Sequence, residues 1–365
     1  MSSEARQQNT PSTSNSANLQ TSHRRVFLLS VITVIFAALV ALFWRDTANL
    51  FVFRRLFGSS SRAAASSSTG SAPTPAVVSS ITEQAGLKMK TPVYFLSHGG
   101  PNVMYNVEHP AYKKLGQIGR EITTKVKPRA VVVFSAHWQG GRDTIYVNTA
   151  ENTDLIYDFY GFPDHYYKEK YPNVGSKEVS YKVLDALKEA GIDAKGVKRG
   201  LDHGVWASFK CAFEPDSNPL NVPIVQVSLF DTEDPNQHYR LGQAVSRLRE
   251  ENILIIVSGM AVHNLRDLRF TFGNPRPMPY AVSFDEALKD AATKAPAERE
   301  QALADLLKRP DARQAHPTFD HLLPIHVGAG AAHEDVGKRI WTLPEGSMSW
   351  AQFRFGELNN ASTSL

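Results

Sequence analysis

The stretch 250-EENILIIVSGMAVHNLRDL-268 decides the fold. Ile253–Val257 is an apolar, β-branched run without alternation, the pattern of a strand buried on both faces. It ends in Ser258-Gly259, and His263-Asn264 follows on the next turn. Open α/β sheets bind their ligands in the crevice beyond the carboxyl ends of such strands. The arrangement occurs twice more. Val93–Ser97 runs into His98-Gly99-Gly100-Pro101, and Ala130–Phe134 runs into Ser135-Ala136-His137-Trp138. Three apolar strands, each delivering a histidine within a few residues of its end, read as a metal site.

Around these strands the pattern alternates. His109–Val126, Ser176–Ala190, Pro235–Glu250, Phe284–Lys294 and Ala297–Lys308 have helical periodicity; Thr144–Asn148 and Ile224–Leu229 read as further strands. The predicted fold is therefore α/β, a mainly parallel sheet covered by helices on both faces. In 316-HPTFDHLLPIHVGAGAA-332, Thr318 or Asp320 is the expected cap of a helix that holds Pro324 in its first turn.

The N-terminal part has a different character. Residues 1–25 begin with a polar Ser/Thr/Asn/Gln tail that has too little apolar surface to fold. Val26–Trp44 carries no charge and is long enough, at about 1.5 Å per residue, to cross a hydrocarbon core as a helix. It follows Arg24-Arg25. A cleaved signal peptide is the alternative, but the run exceeds a usual h-region and no small-x-small cleavage site follows it. The expectation is a single-pass transmembrane helix at 26–44 and a flexible linker at 45–85, rich in Ser and Ala after an aromatic–basic stretch, Phe51–Phe57. The arginines on the downstream side lean toward a C-terminal domain, 86–365, on the cytoplasmic side.

Charge and cysteine content narrow the chemistry. The formal net charge is +4, with no basic stripe interleaved with aromatics, so nucleic acid is not an expected partner. Cys211 is the only cysteine, which rules out an intramolecular disulfide and thiolate zinc sites. A metal here rests on His and carboxylate. His203, in Leu201-Asp202-His203-Gly204, lies between a loop and a predicted helix. His326 and His333 read as structural or surface residues, and His23, His109, His165, His238 and His316 carry no functional signal of their own.

Six motifs then occur in a family's order: Ser97-His98-Gly99-Gly100-Pro101, Ser135-Ala136-His137-Trp138, Tyr157-Asp158-Phe159-Tyr160-Gly161-Phe162-Pro163, Leu201-Asp202-His203-Gly204, Val262-His263-Asn264-Leu265 and Pro317-Thr318-Phe319-Asp320-His321. From about residue 92 to Phe355 the chain resembles the class III extradiol ring-cleaving dioxygenases, in the 4,5-DOPA dioxygenase-like branch of the LigB superfamily. Gly100 stands where many members carry Ser.

The resemblance implies one metal, non-haem Fe(II) or Zn(II), held by His98, His137 and His321. It places His263 as catalytic base or fourth ligand, and His203 on the substrate side. It implies insertion of both atoms of O2 into a catechol-type, DOPA-like ring, with ring opening. Tyr157, Phe159 and Tyr160 would wall a pocket for the flat ring, or else pack a core loop. A three-histidine zinc hydrolase and a non-catalytic, membrane-tethered relative are the competing classes.

Overall fold

The computed structural model describes residues 90–358. The expected tail at 1–25, the expected span at 26–44 and the expected linker at 45–85 lie outside the described residues. Among the described residues, no helix is long and apolar enough to cross a membrane.

Three strands form the centre: β1 (Val93–Ser97), β2 (Ala130–Gln139) and β6 (Ile253–Gly259). Between β2 and β6 the chain makes β3 (Thr144–Asn148), β4 (Asp193–Val197) and β5 (Ile224–Leu229). The eight-stranded sheet has the order β4-β3-β5-β2-β6-β1, continued by two late strands, β11 (Gln352–Phe355) and β8 (Gly337–Trp341). β1, β6, β2 and β5 run parallel, as do β3 and β4, whereas β3 meets β5, and β11 meets both β1 and β8, in antiparallel fashion. The expected mainly parallel sheet is present, and its antiparallel C-terminal edge is an addition to it.

The lack of alternation in the central strands now has its reason, because successive side chains enter two different cores. Phe95, Val132, Phe134, Ile255 and Val257 pack on one face, while Tyr94, Leu96, Val131, Val133, Leu254 and Ile256 pack on the other. The second face is covered by α1 (Pro110–Glu121), through Leu115 and Ile118, and by α3 (His203–Ala212). The first is covered by α2 (Lys177–Glu189), α4 (Pro235–Val245), α6 (Pro279–Ala292), α7 (Pro296–Leu306) and α8 (Leu323–Ala332). A short helix, α5 (Leu265–Thr271), precedes α6 and buries only Thr271.

Several predicted boundaries shift. His109 caps α1 from outside, its Nδ1 accepting from the Ala111 amide, and the helix passes into a π-turn at Ile122–Val126. The predicted helix Pro235–Glu250 stops at Val245 and tightens into 3-10 geometry. Neither Thr318 nor Asp320 caps α8, whose N-cap position is Leu322 with no side-chain cap. The Asp320 carboxylate instead accepts a hydrogen bond from His321 Nδ1 at 2.7 Å. An imidazole N–H is available one residue away, and the first turn of the helix, from Leu323, instead holds Pro324, which has no amide N–H to satisfy.

Candidate metal centre

The histidines gather beyond the carboxyl ends of β1, β2 and β6. β1 ends at Ser97, opposite Gly259 of β6, and His98 follows with its amide bonded to the Gly259 carbonyl at 3.0 Å. β2 runs further than its apolar core, to Gln139, with an irregularity in register after Phe134, so His137 sits on a strand and not in a loop. His321 lies in the turn before α8, where its carbonyl accepts from the Met260 amide at 2.9 Å. That approach needs a glycine at the end of β6, because a Cβ on Gly259 would stand 2.2 Å from the His321 carbonyl oxygen.

His98, His137 and His321 each offer a nitrogen within 4.8 Å of the other two. Their outer nitrogens fix which atoms these are. His98 Nδ1 lies 2.9 Å from Ser258 Oγ, whose single hydrogen is already donated to the Gly204 carbonyl. The serine can only accept, so His98 carries its proton on Nδ1. His137 Nδ1 lies 3.0 Å from Asp158 Oδ2, and His321 Nδ1 is 2.7 Å from Asp320 Oδ2. Ionised carboxylates accept only, so these rings are in the same tautomer. Three Nε2 lone pairs thus face one another, with His137 Nε2 only 3.2 Å from His321 Nε2.

Such a set suits a cation. Neutral imidazoles whose outer N–H groups are held by carboxylate or hydroxyl are the usual form of metal-ligating histidine. Burial, followed by the neighbouring imidazoles, holds His98 well below the ordinary histidine range. Burial likewise lowers His321. For His137, burial is the largest single influence and acts downward, but the Asp158 hydrogen bond and the Asp202, Asp158 and Asp320 charges together raise it. Burial works to raise Asp158 and Asp320, yet hydrogen bonds to the imidazoles outweigh it and keep both ionised far below the usual carboxylate range. Among the described residues, neither carboxylate has a Lys or Arg partner, whereas buried Asp202 has Arg199 at 3.0 Å. Two partly buried negative charges behind three imidazole nitrogens match a divalent ion.

The other two histidines flank this set. His263 forms the two-residue strand β7 (Val262–His263), paired with β10 (Met348–Ser349) in a small sheet with β9 (Pro344–Glu345). Its ring stacks on His321, with centroids 3.6 Å apart and planes 12° from parallel. It belongs to none of the groups whose ligand atoms converge within 4.8 Å. Burial and the His321 charge hold it well below the ordinary range, hence neutral.

His203 opens α3. Both its amide and its Nδ1 reach Asp158 Oδ1, at 3.0 and 2.9 Å, so one carboxylate orients both His137 and His203. The glycine after it is a close-packing residue: a Cβ on Gly204 would stand 2.7 Å from Ser135 Oγ and 2.8 Å from His137 Cδ2.

The aromatic wall is thinner than expected. Phe159 is buried and meets His203 edge-on at 5.5 Å. Tyr157 instead packs on Trp206 at 5.6 Å and donates its hydroxyl to the Glu169 carbonyl at 2.7 Å. Tyr160 is 90% exposed and is not brought to the cluster. The backbone of this motif turns its second tyrosine outward and uses Asp158, overlooked in the sequence, as the residue that touches the histidines. Asp320 and Ser258 were overlooked too. For Asp320 the available signal was a carboxylate adjoining a candidate ligand in its own motif, whereas Asp158 and Ser258 meet their histidines only across distant segments.

The family model "Catalytic LigB subunit of aromatic ring-opening dioxygenase" matches residues 91–351. A 4,5-DOPA dioxygenase extradiol-like protein of Schizosaccharomyces pombe is 35% identical over 70% of this chain and 90% of its own. The 4,5-DOPA dioxygenase extradiol of Beta vulgaris is 35% identical over 72% of this chain and 95% of its own. A crystal structure of an uncharacterized protein from Escherichia coli K12 superposes with a TM-score of 0.59 at 28% identity, covering 73% of this chain and 100% of that one.

Proposed function

The chain belongs to the LigB family of aromatic ring-opening dioxygenases, and from that premise we propose that it opens a catechol-type, DOPA-like ring with a single metal held by His98, His137 and His321. As a LigB-type extradiol dioxygenase it takes an aromatic substrate and O2. The observation that carries the finer reading is the convergence of three Nε2 lone pairs whose outer N–H groups are all donated. Non-haem Fe(II) is the proposed working ion, and Zn(II) the ion that the same imidazoles would retain without turnover. When bound, the ion supplies Lewis acidity to the diol oxygens and access to O2 chemistry.

The chain's own residues supply the rest. His263, stacked beside His321 and held neutral by burial, is the proposed base that takes a proton from a substrate hydroxyl. Its absence from the converging groups favours base over fourth ligand. His203 has its Nδ1 proton fixed by Asp158, which leaves Nε2 as an acceptor on the substrate side. Phe159, edge-on to His203, gives that side an apolar surface for a flat ring.

For residues 26–44 the reading remains a single membrane span, with the catalytic domain on the cytoplasmic side, supported by the uncharged run and its flanking arginines. Retention of the full chain in membranes after an alkaline carbonate wash is the expected result; ready release would exclude a span.

Anaerobic reconstitution tests the chemistry. Fe(II) should restore turnover of at least one member of a catechol panel, read as a yellow ring-opened product on admitting air, and Zn(II) should bind without product. A metal-loaded protein that opens no catechol would sink the proposal.

A further inference from the structure

Large exposed apolar side chains are unevenly distributed. Among the described residues, Leu265, Leu268, Phe270 and Phe272 form the densest group, and Phe270 and Phe272 are 70% and 86% exposed. They lie on α5 and the turn after it, directly beyond His263 and Asn264.

The helix is built inside out. Its inward contacts are polar: the Asn264 side chain caps it by accepting from the Arg266 and Asp267 amides at 2.9 and 3.1 Å. Asp267 turns back to accept from Asn264 Nδ2 and the Tyr280 hydroxyl at 3.1 and 2.9 Å. Thr271 is its buried residue. The leucines and Phe270 therefore point outward, the reverse of a helix that faces water. Between them stand Arg266 and Arg269, with Arg276 after the turn. None of the three has a carboxylate within salt-bridge distance among the described residues. The Arg269 guanidinium lies 4.5 Å over the Phe270 ring. Asp267 is the only acid from Leu265 to Met278, and its charge is turned inward.

We infer that α5 and its following turn dock on an anionic lipid surface, with Phe270 and Phe272 inserted at the level of the headgroups and Arg266, Arg269 and Arg276 against the lipid phosphates. Exposed aromatics among unpaired cations are the composition that binds an interface, where apolar burial and attraction to anionic headgroups add. Arginine suits the position, since its stem can lie along apolar surface while its head stays with phosphate. Docking would set the lipid surface beside the His263 edge of the metal centre. The inference does not depend on residues 26–44 and is tested without them.

The domain can be studied alone, because an Escherichia coli chain is covered over 100% of its length by 73% of this one and folds as that unit. A fragment starting at Thr82 is mixed with phosphatidylcholine vesicles, with and without phosphatidylserine, and sedimented. It should pellet with the phosphatidylserine vesicles. Affinity should fall roughly ten-fold or more in Phe270→Ser/Phe272→Ser, and again in Arg266→Ser/Arg269→Ser/Arg276→Ser. Tyr181→Ser, at an exposed position on α2, should bind as the parent does. Turnover of a soluble catechol by the doubly substituted fragment should match the parent, which separates lost docking from lost folding. A parent fragment that stays in the supernatant with phosphatidylserine vesicles would overturn the inference. So would a Phe270/Phe272 variant that binds as tightly as the parent.

Discussion

His137 Nε2 lies 3.2 Å from His321 Nε2, although the two residues are 184 positions apart in the chain. Both rings have their Nδ1 protons committed to carboxylates, so in their neutral forms neither inner nitrogen has a proton to share. Two lone pairs at that separation are favourable only with a positive charge between them, a metal ion or, since the carboxylates raise His137, a proton on its Nε2.

That relationship predicts one pattern of losses for the ligands and another for the base. His98→Ala, His137→Ala and His321→Ala should each abolish turnover and empty the site, since each removes one imidazole of three. His263→Ala should keep its metal and lose roughly 10²–10⁴-fold in turnover, the usual worth of a positioned proton-transfer group. His203→Ala should also keep its metal, with the loss showing in substrate handling. Metal content measured beside turnover separates these outcomes; an empty His263→Ala protein would make His263 a ligand.

Asp158 orients two histidines with one carboxylate, so its replacement should disturb both metal and substrate sides. Asp158→Asn keeps the shape but offers an N–H₂ group to one of two N–H donors. Metal affinity should fall by about 10–100-fold, as for other outer-layer partners. Competition with a chelator reads the metal side, and kcat at saturating metal reads the other. Unchanged values for both would show that Asp158 only packs.

A prediction about a buried charge concerns stability. Arg299 is fully buried and donates to the carbonyls of Asp335, Ala329 and His333 at 2.6, 3.0 and 2.7 Å, closing the C-terminus of α8. Arg299→Met should leave these carbonyls unsatisfied, at about 1–3 kcal/mol for each that finds no water. A drop of several kcal/mol in urea unfolding is expected; a loss below about 1 kcal/mol would mean that solvent replaces the guanidinium.

Buried histidines outside the site predict an acid limb. Burial brings His316 and His326 down to about 4 in the folded chain. Between about 4 and the ordinary value near 6.5, the unfolded chain takes up protons that the folded chain refuses. Their stabilising contribution is therefore complete above about pH 6.5 and is lost as pH falls toward 4, by roughly 3 kcal/mol for each group. Thermal midpoints should decline across that window, and His326→Leu should flatten the decline. An equally steep decline in the variant would place the acid sensitivity elsewhere.

What was legible in the sequence was local. An apolar run without alternation states that both faces of a strand are buried, whatever covers them, so β1, β2 and β6 could be read directly. So could the histidines at their ends, because a strand's carboxyl end is a fixed place in an open sheet. The fold decided what depends on contacts between distant segments. Asp158 meets His137 and His203 only because the loop after β3 crosses the end of β2 beside α3. Tyr160 faces outward because the backbone of that loop places Asp158 and Phe159 on the inside. Asp320 gives its carboxylate to His321 and not to a helix cap, since the turn before α8 aims that imidazole at the centre. Even the tautomer of His98 rests on Ser258 having already given its one hydrogen to Gly204. A proton's position is set by the whole set of neighbours competing for it, and that set exists only once the chain has folded.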